Sequence, residues 1–415
     1  MAQTIPIPQI FLLWHPRCRL GEALARRILQ WLSPGNGLGP EVFYRSLPAP
    51  GAPANGLPLP LPGETRAGPA RAEESVSKLP VVLPLIDENM VTDLAWRRWL
   101  DDLTNPSKWE MMPVALDATA YNMPARLREL NYLRPAGLPL PPGEGMDGSA
   151  FEGVARSLLK QVTEALCRLM LPRPAPAEDP GAVGSRGPLP KVSVFLSHAK
   201  QDGTGPARRL RDYIYSQTQL AAFYDENDIA FSSVFSKVIH GGLESPDTAA
   251  LIVVRSVLYP TRPWCRQELF SFRTPRPAIG RADGLRTWRL FPVLVVEAME
   301  GREPSAGIPE LGNSPVIRWN DDDSGMEELI VTTVIRDAMF ASFHAAIAAL
   351  IPKQENQIVI NWLPDPATLL LIPSLQSGQK FQVVYPGRRL SGLELDFLAS
   401  RFPKLTFRSF EEVLT

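Results

Sequence analysis

Residues 191–202 read Lys191-Val-Ser-Val-Phe-Leu-Ser-His-Ala-Lys-Gln-Asp202, an apolar run that ends abruptly in a polar turn. Two further apolar runs end in the same way, at Ala221-Ala-Phe-Tyr-Asp-Glu-Asn-Asp-Ile229 and at Ala249-Ala-Leu-Ile-Val-Val-Arg-Ser256. Such runs are typical of strands that are buried on both faces of a parallel sheet. The carboxyl ends of these strands meet at one edge, which is where α/β proteins bind ligands. We therefore expect a pocket at this edge.

A helix after the third run carries the strongest candidate for chemistry. The segment Trp264-Cys-Arg-Gln-Glu268-Leu follows Pro263, and proline favours the first turn of a helix. Trp264 and Glu268 are four residues apart and therefore share one face of that helix. We predict that Glu268 points into the pocket beside the Trp264 indole. On position alone, a solvated glutamate on a surface helix is the competing interpretation.

The order of these segments resembles bacterial TIR (Toll/interleukin-1 receptor) domains. The resemblance covers residues 190–350 and rests on Phe-Leu-Ser-His-Ala, Phe-Tyr-Asp-Glu-Asn-Asp-Ile, Val-Val-Arg-Ser and Trp-Cys-x-x-Glu-Leu, in that order. It implies a flavodoxin-like, doubly wound parallel sheet. It also implies cleavage of the bond between nicotinamide and ribose in NAD+, with Glu268 as the essential catalytic residue. NAD+ is then the substrate, and no cofactor is expected.

The resemblance and the strand ends together predict the residues that bind the substrate. The turn at 197–202 precedes a helix whose first backbone amides favour phosphate, and Lys200, Arg208 and Arg209 add positive charge there. The sequence departs from the family pattern at Ala230-Phe231-Ser232, where a Pro-Gly is common. The predicted substrate-binding residues are Ser197, His198, Lys200, Asp202, Phe231, Ser256 and Trp264.

One carboxylate suffices for this chemistry. Breaking the bond builds positive charge on the ribose, which a nearby carboxylate stabilises. Nicotinamide leaves a pyridinium as a neutral molecule, so no general acid is required. Ser197, His198 and Asp202 lie too close together on one turn to form a catalytic triad.

Proline-rich composition marks the domain boundaries. Residues 172–190 have almost no apolar periodicity, and their prolines remove the backbone donors that a helix or a central strand needs. We predict an α/β domain at 1–171, a linker at 172–190, the TIR domain at 191–352 and a small α/β segment at 353–415.

The first domain is predicted to be a divergent, TIR-like copy of the second. Ile-Phe-Leu-Leu-Trp-His at 10–15 parallels Val-Phe-Leu-Ser-His at 194–198. Trp99 or Leu100 occupies the place of Glu268, so we predict that this copy is catalytically silent. Two unrelated α/β domains with similar strand endings remain the alternative.

Apolar periodicity also places individual elements. In the first domain it predicts a helix at Val91–Leu103 and a strand at Met111–Asp117. In the second it predicts a helix at 232–241 and a single strand at 289–297.

Composition bounds the class of protein. The chain has 415 residues, 45% of them hydrophobic, and a net charge of −1, which suits two or three domains with no strong field toward nucleic acid or membrane. Three distant cysteines, Cys18, Cys167 and Cys265, favour a reducing cytoplasm. The apolar helix at Ala338–Ile351 is predicted to be too short to span a bilayer. The scattered histidines predict no metal site.

The resemblance implies partners and leaves alternatives open. TIR proteins of this kind self-assemble in antiviral defence when an activator, here an unknown protein or nucleotide, triggers them. One alternative is a non-enzymatic TIR adaptor in which Glu268 is incidental. Another is a nucleotide-sensing signalling protein, which the basic cluster Arg17–Arg27 permits.

Overall fold

The structure is a computed structural model that describes residues 7–33, 39–46, 57–58, 61, 78–104, 109–143, 145–170, 192–224, 248–278, 287–299, 306–352 and 354–414. These residues form three mostly parallel sheets with helices packed against them, which confirms the predicted α/β class. The predicted linker at 172–190 and the predicted helix at 232–241 lie outside the described residues.

The first sheet is built from the N-terminal region. Its strands are β1 (Ile7–Trp14), β2 (Glu41–Tyr44), β3 (Lys78–Ile86), β4 (Glu110–Met111) and β5 (Val114–Ala115). Its helices are α1 (Arg19–Leu32), α2 (Glu88–Thr92), α3 (Leu94–Leu103), α4 (Ala125–Arg128) and α5 (Ser149–Met170). The strand order is β2-β1-β3-β4, β5 also pairs with β3, and every pairing is parallel.

Two of the elements predicted in this region are interrupted. The helix predicted at Val91–Leu103 is two helices, because the Asp93 carboxylate accepts hydrogen bonds from the amides of Ala95 and Trp96 and so starts α3 afresh. The strand predicted at Met111–Asp117 is split around Pro113, which has no amide hydrogen for the ladder.

The remaining elements follow from residue 192 onward. The strands are β6 (Ser193–His198), β7 (Ala221–Tyr224), β8 (Thr248–Arg255), β9 (Arg276–Pro277), β10 (Thr287–Arg289), β11 (Val293–Glu297), β12 (Val316–Arg318), β13 (Gln357–Ile360), β14 (Phe381–Tyr385) and β15 (Leu405–Ser409). The helices are α6 (Thr204–Gln217), α7 (Pro263–Arg273), α8 (Met326–Ala348), α9 (Pro366–Leu369), α10 (Gly392–Arg401) and α11 (Phe410–Leu414).

The middle sheet is parallel throughout, in the order β7-β6-β8-β11-β12. The chain therefore adds strands in one direction from β6 to β7 and in the other from β8 to β12. The reversal lies between β6 and β8, and doubly wound sheets bind ligands beyond the carboxyl ends of the strands at this point. The TIR assignment itself stays a prediction.

The third sheet crosses the predicted boundary at residue 352. Its order is β15-β14-β13-β10-β9, so two of its strands come from the region assigned to the middle domain. The single strand predicted at 289–297 is therefore wrong. Strand β10 ends at Arg289 in the third sheet, and β11 begins at Val293 in the middle sheet. Pro292 lies at the break, where a proline does least harm to a ladder.

Helices α5 and α8 pack against each other between the first two sheets. Both sheets contribute to one continuous apolar core, which includes Leu85 of the first sheet and Ile252 of the middle sheet. The prediction that the apolar helix is too short to span a bilayer was wrong, since α8 has 23 residues and is long and apolar enough to cross a membrane. However, 56% of its most apolar stretch is buried inside the fold, as expected for a core helix.

Candidate functional site

Helix α7 places Glu268 at the edge of the middle sheet. Pro263 occupies the first turn, and Cys265, Leu269 and Phe272 are buried on the face that meets the sheet. Glu268 lies beside this apolar face and is only partly exposed. Because the buried face fixes the rotation of α7 against the sheet, the carboxylate of Glu268 lies near the strand ends.

Ser197 contacts this carboxylate at the carboxyl end of β6. Its Oγ donates a hydrogen bond of 2.5 Å to Glu268 Oε2, across 71 positions of the sequence. Ser197 is 2% exposed and pairs in register with Val253 of β8. The contact thus lies at the reversal between β6 and β8.

Tyr259 completes the cluster and was missed by the sequence analysis. Its ring is fully buried, and its Oη lies 2.8 Å from Ser197 Oγ and 3.1 Å from the carbonyl oxygen of Cys265. Burial, assisted by Cys265 and Glu268, raises the pKa of the phenol well above its usual value, so Tyr259 stays neutral. The only signal in the sequence was an aromatic residue in the short connection between Ser256 and Trp264.

Three contacts in this cluster share two hydroxyl hydrogens. With Glu268 ionised, Ser197 donates to the carboxylate, and Tyr259 has one hydrogen for both Ser197 Oγ and the Cys265 carbonyl. We refer to Ser197, Tyr259 and Glu268 as the relay. Because Tyr259 has one hydrogen for two acceptors, it can donate to either Ser197 Oγ or the Cys265 carbonyl.

Asp202 joins two loops at the same edge. Its Oδ1 accepts from Ser256 Oγ at 2.6 Å, and its Oδ2 accepts from the amide of Leu258 at 2.9 Å. The turn after β6 is therefore tied to the loop after β8 and holds the sheet edge in shape. Substrate binding by Asp202 and Ser256 stays a prediction.

The other predicted site residues differ in their surroundings. His198 is buried at the end of β6, where its carbonyl oxygen accepts from Cys265 Sγ at 3.4 Å. Lys200 is exposed in the turn. Trp264 is 53% exposed. Phe231 lies outside the described residues.

Arg209 serves a different purpose from the predicted one. Its guanidinium lies over the Trp319 ring and binds the carboxylates of Asp321 and Glu327, at 2.8 and 2.5 Å. This cluster ties α6 to the start of α8. Arg209 is therefore committed to a structural ion pair, which was not apparent from its position in the sequence.

The corresponding place in the first region is apolar. Trp99 is 5% exposed and Leu100 is fully buried, so α3 contributes no carboxylate there. His15 at the end of β1 approaches Asp93, with 3.5 Å between Nε2 and Oδ2. The catalytic silence of this region stays a prediction.

Two of the three cysteines are unsuited to nucleophilic chemistry. Burial raises the pKa values of the Cys18 and Cys167 thiols to about 12, so neither forms a nucleophilic thiolate at neutral pH. Within the described ranges, no group of three or more His, Cys, Asp or Glu side chains is arranged to hold a metal ion.

Comparisons with known proteins do not extend this picture. No protein-family model matches the chain, and a search of curated proteins finds no match either. The functional argument therefore depends on the residues at the sheet edge.

Proposed function

We propose that this chain cleaves the bond between nicotinamide and ribose in NAD+, with Glu268 as the catalytic carboxylate. The observation that carries the proposal is the 2.5 Å contact between Glu268 and Ser197, which holds a carboxylate inside the edge where parallel sheets bind ligands. The resemblance of the four ordered segments to TIR domains supplies the substrate.

The relay suits a ribose. A ribose hydroxyl that donates to Glu268 takes the place of the Ser197 hydrogen, and Ser197 then turns its hydrogen toward Tyr259. Tyr259 can in turn donate to the Cys265 carbonyl, so every polar atom of the relay keeps a partner. Glu268 is thereby placed to stabilise the positive charge that develops on the ribose as nicotinamide leaves.

The test measures nicotinamide release from NAD+ by the purified chain, with and without a crowding agent that promotes assembly. We expect Glu268→Gln to reduce the rate by about 100-fold or more, because the amide cannot stabilise a cation. Glu355→Gln, which changes an exposed glutamate remote from the relay, is the control and should retain full activity. Equal rates for Glu268→Gln and the parent chain would refute the proposal.

The exposed face of α7 favours a second candidate, a non-enzymatic adaptor. Trp264 and Phe270 are 53% and 50% exposed on this helix, and large exposed aromatic side chains are typical of association surfaces. If assembly is measured by light scattering and no nicotinamide is released in the assembled state, the adaptor is the better account. Trp264→Ala should then weaken assembly.

A further inference from the structure

A cavity of about 400 Å³ lies at the junction of the middle and third sheets, away from Glu268. Leu290 and Phe291 line it directly after β10, and Asn361 and Trp362 line it directly after β13. Strands β10 and β13 are parallel neighbours, so the cavity lies at the carboxyl edge of the third sheet. This edge is the usual ligand-binding position of an α/β sheet.

The cavity has a fixed polar wall. Asn361 Oδ1 accepts from the amide of Leu290 at 2.8 Å, and its Nδ2 donates to the carbonyl oxygen of Ala341 on α8 at 3.1 Å. The amide side chain thereby joins β13, the end of β10 and α8. A ligand would meet a surface that is already formed, which lowers the entropic cost of binding.

Two guanidinium groups line the cavity, from Arg273 at the end of α7 and Arg336 on α8. Within the described residues, neither forms an ion pair closer than 4.0 Å, and Arg336 Nε is buried without a hydrogen-bond acceptor. Burial lowers the pKa of both groups, although each remains a cation at neutral pH. A partly buried guanidinium with unused donors is suited to bind an anion, and phosphate oxygens match its geometry.

Aromatic side chains form another part of the lining, which also includes the carboxyl of Asp337, so the two guanidinium groups outnumber the one acidic group. Phe340 and His344 project from α8, with their ring centroids 6.3 Å apart and stacked, and Trp362 lies in the turn directly after β13. Flat rings of this kind stack against a planar ligand ring. The volume lies near the lower end of the range of about 300–1,000 Å³ for ligand pockets, which favours a single nucleotide unit over a dinucleotide.

We propose that this cavity binds a small anion that carries a planar ring, of the nucleoside monophosphate class. Arg273 and Arg336 hold the phosphate, and the aromatic side chains contact the base. The proposal is independent of the chemistry at Glu268, since it uses a different edge and a different sheet.

The test is isothermal titration of the full chain with the four ribonucleoside monophosphates, AMP, GMP, CMP and UMP. At least one should bind saturably. Its nucleoside and ribose 5-phosphate should each bind at least about 10-fold more weakly, because each lacks one half of the recognition. Added salt should weaken binding of the monophosphate and leave binding of the nucleoside unchanged.

Substitutions locate the site. Arg273→Gln should weaken binding by about 10-fold or more, and Arg273→Lys should restore part of it. Arg401→Gln, which removes an exposed guanidinium from the last turn of α10, is the matched control and should bind like the parent. Saturable binding by none of the four nucleotides overturns the proposal. So does binding that survives Arg273→Gln and is lost in Trp264→Ala, since it would then lie at the Glu268 edge.

Discussion

Tyr259 shows what one hydroxyl does in the relay. Tyr259→Phe keeps the buried ring and removes the group that contacts both Ser197 and the Cys265 carbonyl. We expect the free energy of unfolding in urea to fall by about 1–2 kcal/mol, because the Cys265 carbonyl loses a donor where water cannot replace it. The change should also slow nicotinamide release, because Ser197 loses the partner that lets it leave Glu268.

The matched control for this change is Tyr121→Phe. The Tyr121 ring packs against Tyr132, and its hydroxyl makes no hydrogen bond within the described residues. Loss of the Tyr121 hydroxyl should change the free energy of unfolding by less than about 0.5 kcal/mol. If the two variants are equally stable, the hydroxyl of Tyr259 is not a structural link.

The partly buried carboxyl of Asp337 should make the stability of the fold depend on pH. Burial raises the pKa of its carboxyl from 3.8 to about 6, with Arg336 opposing the shift. Between these two values the folded state holds a proton that the unfolded state has released, so this group makes stability fall as pH rises through the window. Asp337→Asn should therefore match the parent chain near pH 4 and exceed its unfolding free energy at pH 7.5, by up to about 3 kcal/mol.

Urea unfolding at the two pH values measures this difference. Asp396→Asn, which changes an exposed carboxylate on α10, should give the same difference from the parent at both pH values. A pH-independent effect of Asp337→Asn would show that folding leaves the pKa of the carboxyl unchanged.

At the scale of elements, Asp93 decides where α3 begins. Its carboxylate accepts from the amides of Ala95 and Trp96 and also approaches His15. Asp93→Ala should lower the unfolding free energy by about 1–2 kcal/mol through loss of the N-cap. Asp102→Ala, near the unfavourable C-terminal end of the same helix, should have no such cost. Equal losses in the two variants would contradict the capping role.

The positions of most helices and strands could be predicted because the signals are local. The alternation of apolar runs and polar turns predicted β6, β8, α6 and α7, and the structure has all four. The errors occurred where one residue interrupts a continuous pattern, as Asp93 and Pro113 do. A helix cap or a missing amide hydrogen acts at a single position. A prediction from apolar periodicity averages over many residues and therefore does not detect it.

At the scale of the whole molecule, the third sheet makes the C-terminal segment part of the fold. A chain that ends at residue 352 loses β13 to β15, so β10 loses its parallel neighbour and the buried Trp288 loses its cover. We expect this shortened chain to aggregate or to be cut rapidly by protease in the region 276–297. A shortened chain that unfolds as cooperatively as the full chain, followed by circular dichroism, would show that the predicted boundary is a domain boundary after all.

The α/β class and the sheet edge at which Ser197 and Glu268 lie could be predicted from the sequence, because burial patterns and turn residues are local properties. Packing of the folded chain was needed to reveal that Tyr259 joins them, that Arg209 binds Asp321 and Glu327, and that the chain changes sheets before Val293. These features are contacts between residues far apart along the chain. Their free energy depends on how whole helices and sheets pack, and no local pattern records it.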